Sequence, residues 1–134
     1  WEEVAARFDL PVVLLELVSP DFYHLDTCLA LLAGDACLWL PSALAPRAQA
    51  LVRALVPRAI EVDAREARER LACNACCPDG RHVLLPAGSP VTAQRLRAEG
   101  FEVSEVPTDE FLKAGGSVFC MKLQHGPVTA GAER

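Results

Sequence analysis

The residues best suited to chemistry lie in two short segments near the ends of the chain. One is Phe22-Tyr23-His24-Leu25-Asp26-Thr27 and the other is Gly115-Gly116-Ser117-Val118-Phe119-Cys120. The first reads as a strand, on which side chains two apart share a face, so His24 and Asp26 are expected to point the same way. The second predicts another strand, with Cys120 just after a glycine-glycine turn. A thiol, an imidazole and a carboxylate drawn from distant segments are the parts of a cysteine-nucleophile site. Gly115 and Gly116 are expected to permit a tight backbone path into the nucleophile segment. The plain alternatives are a buried apolar cysteine, a structural histidine and a turn aspartate.

Other reactive side chains carry less. Cys73, Cys76 and Cys77 have metal-ligand spacing, but a structural zinc site needs four ligands and no second pair follows, with His82 the one candidate addition. Apolar strand residues are the better reading of these cysteines. Arg65, Arg68 and Arg70 alternate with Glu66 and Glu69 and read as a solvated helix face. His125 sits at an end expected to fray and supports no argument.

The elements that must position the site follow from periodicity and from proline and glycine. Pro11–Leu17 is a continuous apolar run, expected as a strand buried on both faces. Strands are also predicted at Phe22–Leu32, Ala36–Leu40, Ala59–Val62, Ala72–Cys77, His82–Leu85, Phe101–Val106 and Ser117–Leu123. Helices are predicted from Ser42 to Leu55, Ala64 to Leu71, Ser89 to Glu99 and Thr108 to Ala114. Pro90 takes the favoured first helical position and Gly100 caps the end.

The pattern repeats with a period of about 45 residues. Leu40-Pro41 matches Leu85-Pro86, Ala48-Gln49 matches Ala93-Gln94, Glu61-Val62 matches Glu105-Val106, and Glu66 matches Glu110. The repeats are expected at 22–70 and 71–123, each running strand, strand, helix, strand and a short linking helix. Units of this kind do not bury their surface alone and stack on others. The fold class is therefore α/β.

The chain has 134 residues, 51% of them hydrophobic and 23% charged, which suits one domain at 1–125 with a flexible tail at 126–134. A net charge of -5 argues against a nucleic-acid or anionic-membrane partner. No apolar run reaches the roughly 18 residues of a membrane span. The six cysteines are read as reduced thiols of a cytoplasmic, reducing compartment. The sequence opens at Trp1, within an amphipathic helical pattern, and is expected to be a piece of a longer or processed chain.

Three segments carry a resemblance to a known family: Asp21-Phe22-Tyr23-His24-Leu25-Asp26-Thr27-Cys28, Leu71-Ala72-Cys73-Asn74, and Glu110-Phe111-Leu112-Lys113-Ala114-Gly115-Gly116-Ser117-Val118-Phe119-Cys120-Met121. Over residues 1 to 125 the chain resembles the C-terminal half of the penteins, the guanidino-group-modifying enzymes. These include arginine deiminases, amidinotransferases and dimethylarginine dimethylaminohydrolases, and bacterial proteins like the last are the nearest match. The resemblance implies a five-bladed α/β propeller of strand-strand-helix-strand modules, of which this chain would hold two to two and a half.

The resemblance also implies roles. Cys120 is the nucleophile that forms a covalent thiouronium, His24 the general acid and base, and Asp26 the anchor for the guanidinium. Asn74 recurs in the family pattern as a structural hydrogen-bonder. The expected activity is hydrolysis of a C–N bond in an arginine-like or methylated-arginine guanidine, a small-molecule substrate, with no cofactor and no metal. An acid at position 26 favours a guanidine less encumbered than asymmetric dimethylarginine. The family's N-terminal half supplies a second guanidinium carboxylate and one that orients the histidine. Neither has a counterpart here, so the isolated chain is expected to be inactive. It is expected to form a homodimer or to associate with the missing half. The rival readings are amidino transfer on the same fold and a non-catalytic half-propeller module.

Overall fold

A computed structural model describes residues 1–123. The tail expected at 126–134 and His125 lie outside the described residues. Among the described residues five strands and five α-helices form: α1 (Glu2–Phe8), β1 (Leu29–Ala33), β2 (Ala36–Trp39), α2 (Pro46–Leu55), β3 (Arg58–Glu61), α3 (Ala64–Arg70), β4 (His82–Pro86), α4 (Pro90–Ala98), β5 (Glu102–Val106) and α5 (Asp109–Leu112). Strand, helix, strand and short helix thus occur twice in order, as β2-α2-β3-α3 and β4-α4-β5-α5.

The strands make two sheets. In the first, β1 pairs antiparallel with β2, Leu29 opposite Trp39, and β2 pairs parallel with β3, Cys37 opposite Ala59. In the second, β4 and β5 run parallel, with Val83 opposite Val103. The central strand β2 is buried along its whole length, as a strand covered on both faces requires. One apolar core spans both sheets and takes in Trp39, Leu38, Val52, Val83, Leu85 and Leu96.

Local chemistry fixes the element ends. Asp63 caps α3 by accepting from the backbone N–H of Arg65 and Glu66 at 3.0 and 3.1 Å. Glu66, 8% exposed, accepts from Val91 N and Thr92 N at 2.8 Å each and from Thr92 Oγ1 at 2.6 Å. A carboxylate thereby occupies the N-terminus of α4, where unpaired amides and the helix dipole favour negative charge. Further bonds cross between the two halves, from Arg95 Nη1 to the Glu61 carbonyl and from Arg58 Nη2 to the Glu99 carbonyl, both 2.7 Å. Gly100 follows α4 with φ of 90°.

Several expected elements differ. Pro11–Leu17 is not a buried strand. Its ladder is one bridge, Leu17 to Leu44, with Val18 N donating to the Ala43 carbonyl and Ala45 N to the Glu16 carbonyl. Leu10, Val13 and Leu14 are exposed. An apolar run becomes a strand only where a neighbour takes its backbone groups, and here only the Glu16–Val18 end finds one. These residues border an open cleft with Trp1, Arg47 and Leu51.

Phe22–Leu32 is interrupted by a 3₁₀ turn at Leu25–Thr27, where Thr27 Oγ1 donates to the His24 carbonyl at 2.6 Å. This local side-chain bond replaces the ladder, so His24 and Asp26 do not share a strand face. The helix expected from Ser42 starts instead at Pro46, after a 3₁₀ turn at Pro41–Ala43. The residue before a proline avoids the helical region, and Ala45 has ψ of 152°. Ala72–Cys77 keeps only the bridge of Cys76 to Leu84. Ser117–Leu123 is a turn, with Met121 N donating to the Ser117 carbonyl.

Among the described residues, no helix is long and apolar enough to cross a membrane.

Candidate active site

Asp26, Asn74 and Cys120 meet where three irregular segments converge. Asp26 sits in the 3₁₀ turn before β1, Asn74 in the turn after α3, and Cys120 in the turn after α5. Asn74 is fully buried in an apolar stretch. A buried amide must pair its donors and its acceptor, and Asn74 does so with the other two segments. Its Oδ1 accepts from Ser117 N at 3.1 Å and Cys120 N at 3.2 Å. Its Nδ2, with two hydrogens to give, faces three acceptors: the Asp26 carbonyl at 3.2 Å, Asp26 Oδ2 at 3.3 Å and Cys120 Sγ at 3.2 Å. Its own carbonyl accepts from Phe119 N at 3.0 Å.

The thiol of Cys120 is exposed and donates to Asp26 Oδ2 at 3.3 Å. Asp26 is half-buried, and among the described residues its Oδ1 takes no hydrogen bond. The other thiols differ. Burial pushes Cys28 and Cys37 up to about 11, with Asp26 adding a smaller effect at Cys28. Burial also pushes Cys73 well above the thiol range, with Cys28 and Cys37 contributing. A thiol held protonated is a poor nucleophile.

His24 precedes the 3₁₀ turn that carries Asp26 and makes no hydrogen bond to this group. Its ring packs on Tyr23 with centroids 4.8 Å apart, and its carbonyl accepts from Thr27. Among the described residues no hydrogen bond reaches the imidazole. Tyr23 reaches the nucleophile segment in turn: its hydroxyl donates to the Gly115 carbonyl at 2.7 Å. Gly115 has φ of 78°, and a Cβ there would lie 2.8 Å from the Tyr23 hydroxyl oxygen. A Cβ on Gly116 would press on Cys120 Cβ at 3.3 Å. The glycine pair does permit a tight path, but into a turn rather than a strand. Below it, Ser117 Oγ and Thr108 Oγ1 pair at 2.8 Å in the interior.

The structure therefore joins Cys120 to Asp26 directly, whereas the contacts of His24 are with Tyr23 and Thr27 and not with the thiol. The contact of Asn74 with the thiol is invisible to sequence reading. Its signal is a lone amide in the apolar run Leu71–Ala75, which can be buried only if it is bonded. His82, the residue considered as an addition to the Cys73-to-Cys77 segment, lies between Asp79, at 2.5 Å, and Glu102, at 2.8 Å.

No family model matches the chain. It is 46% identical over 125 residues to an N(G),N(G)-dimethylarginine dimethylaminohydrolase of Mycobacterium tuberculosis, covering 93% of this chain and 41% of that protein. The solved N-terminal domain of ArgZ, an arginine dihydrolase from the ornithine-ammonia cycle in cyanobacteria, bound to product, is 34% identical with a TM-score of 0.84. The match covers 91% of this chain and 45% of that one. A variant of that domain, described as covalently bound to a reaction intermediate, matches at 34% identity and a TM-score of 0.82, over 89% and 44% of the two chains. The chain thus spans less than half the length of the relatives it matches.

Proposed function

From the membership of this chain in the superfamily of dimethylarginine dimethylaminohydrolases and arginine dihydrolases, we propose that it carries the nucleophile side of a guanidine hydrolase. The substrate is an arginine-like or methylated-arginine guanidine and the bond broken is a C–N bond. The observation that carries the reading is the 3.3 Å contact between an exposed thiol and a half-buried carboxylate, Cys120 and Asp26. A cationic guanidinium held by the carboxylate has its carbon within reach of the sulfur.

In this reading the Cys120 thiolate attacks the guanidinium carbon and a C–S bond forms. His24 gives a proton to the departing nitrogen, the C–N bond breaks, and a thiouronium remains on the enzyme. His24 then takes a proton from water, the oxygen adds to the carbon, and the C–S bond breaks. The ureido product leaves and the thiolate returns. The covalently bound intermediate described for the ArgZ variant supports this route. Six free cysteines suit a reducing compartment, where the nucleophile stays a thiol.

The remainder of the family length supplies what this chain lacks, a second guanidinium anchor and a carboxylate to orient His24. The imidazole without a hydrogen bond and the exposed apolar run at Leu10–Leu14 support that view. They also support association, either with the missing half of a five-bladed propeller or with a second copy. In this assignment residues 1–125 form the partial propeller domain, with repeats at 22–70 and 71–123. Amidino transfer differs only in the second step, where an amine replaces water.

The test incubates the full-length parent with arginine, methylated arginines and agmatine and assays ureido product. Product from one of them, abolished by Cys120→Ser, is the expected result. Turnover that survives Cys120→Ser would refute the proposal.

A further inference from the structure

Asp26 and Cys120 raise a physical problem. A carboxylate 3.3 Å from the sulfur binds a guanidinium well but opposes a thiolate, because like charges at short range disfavour each other. An S–H can donate to Asp26 Oδ2, whereas a thiolate cannot. When the thiol proton leaves, to His24 or to water, that favourable contact turns repulsive unless a donor stands between the two groups.

Asn74 is that donor by position. Its Nδ2 is 3.2 Å from Cys120 Sγ and 3.3 Å from Asp26 Oδ2. An amide nitrogen carries two hydrogens, and three acceptors surround this one, the third being the Asp26 carbonyl at 3.2 Å; one hydrogen is shared between the two Asp26 oxygens and the other faces the sulfur. The amide cannot turn over, since its Oδ1 is held by the backbone N–H of Ser117 and Cys120. Reversal would set its oxygen against the Asp26 carboxylate and its hydrogens against two backbone donors. It is fully buried, so water does not compete for it. The Cys120 N–H and the Cys120 Sγ thus contact opposite ends of one amide, which fixes the sulfur relative to its own backbone.

We propose that Asn74 is a catalytic residue whose Nδ2 donates to the Cys120 thiolate and shields it from the Asp26 carboxylate. This rests on the guanidine-hydrolase reading and deepens it, turning a structural asparagine into the group that lets anchor and nucleophile coexist. The donor remains in place when the substrate cation arrives. The thiolate is then flanked by the amide and the guanidinium rather than by the carboxylate alone.

The test follows alkylation of Cys120 by iodoacetamide in this chain, a step in which a C–S bond forms and iodide leaves. Cys120 is located by peptide mapping, and the rate is measured against pH. Asn74→Asp keeps an acceptor for the two backbone N–H groups and replaces the donor by an anion. Its Cys120 is expected to react at least about tenfold more slowly at neutral pH, with the half-maximal rate reached at higher pH. Asp26→Asn removes the opposing charge and is expected to speed the same reaction. Near-ultraviolet circular dichroism checks the fold of both. Should Asn74→Asp not fold, Asn74→Ser, which keeps an oxygen but loses the amide donor to the sulfur, decides: a native rate and pH profile at Cys120 overturns the inference. A folded Asn74→Asp with the native rate and pH profile also overturns it, while selective labelling of native Cys120 leaves the guanidine-hydrolase reading standing. If native Cys120 reacts no faster than Cys76 or Cys77, both fall.

Discussion

Replacing Gly115 by alanine should destabilise the chain through two effects that a second substitution can separate. The first is backbone strain. Gly115 has φ of 78°, and an L-residue in that region costs roughly 1–2 kcal/mol. The second is displacement of Tyr23, since the new Cβ would lie 2.8 Å from its hydroxyl oxygen. The ring must swing away, and its 2.7 Å bond to the Gly115 carbonyl is lost. An exposed bond of this kind contributes about 0.5–1.5 kcal/mol. Gly115→Ala should therefore cost about 1.5–3.5 kcal/mol, the sum of these two ranges. Tyr23→Phe alone deletes only the bond and should cost about 0.5–1.5 kcal/mol. In the double variant the bond is already gone, so Tyr23→Phe should cost almost nothing on top of Gly115→Ala. Urea denaturation of the four proteins gives the coupling directly. Strict additivity, with Tyr23→Phe costing the same in both backgrounds, would show that the hydroxyl does not hold this turn.

Three further outcomes are expected. Limited alkylation should label Cys120 well before Cys28, Cys37 or Cys73, because burial holds those thiols protonated; peptide mapping reads the order, and uniform labelling would remove the case for Cys120. His82, hydrogen-bonded to Asp79 and facing Glu102, should titrate above its ordinary 6.5. Its folded value is raised, so its stabilising effect is complete below 6.5 and fades as pH rises through the folded value. Asp79, depressed mainly by the His82 backbone N–H, acts in the opposite sense, losing its effect as pH falls below 3.8 toward its own folded value. Histidine NMR titration checks the pair, and Asp79→Asn should bring His82 back toward 6.5. Finally, sedimentation at micromolar concentration should give a mass above that of the monomer, since Leu10, Val13 and Leu14 expose an apolar edge; Val13→Asp should lower it.

The parts of the fold that were legible in sequence are those whose signals are local. Asp63 before Ala64, Pro90 at the first turn of α4 and Gly100 after its end mark their helices by cap and breaker chemistry. Strands β2, β4 and β5 sit between such marks. Pro11–Leu17, Ala72–Cys77 and Ser117–Leu123 misled because apolar character favours burial but does not specify pairing. Whether a run becomes a strand depends on a neighbour distant in sequence, and the exposed Val13 shows that it does not even guarantee burial. At the site, residue types and family resemblance picked out Cys120 and Asp26 although the segments carrying them are turns, not strands. The resemblance named Asn74 as a hydrogen-bonder, but its partners were hidden because they lie 46 and 48 positions away.

Glu66 touches none of the candidate site residues, yet it ties together the two halves that carry them. The two sheets share no ladder among the described residues and meet across apolar side chains. Apolar contact has no preferred direction, so it presses the sheets together as grease holds two plates, without setting their angle. The bolt is the Glu66 carboxylate, driven into the end of α4. Asp26 rides on one plate, through the turn that leads into β1, and Cys120 follows the last strand of the other. The same two arms are thus held at two places, by a carboxylate near the joint and by the Asn74 amide at their tips.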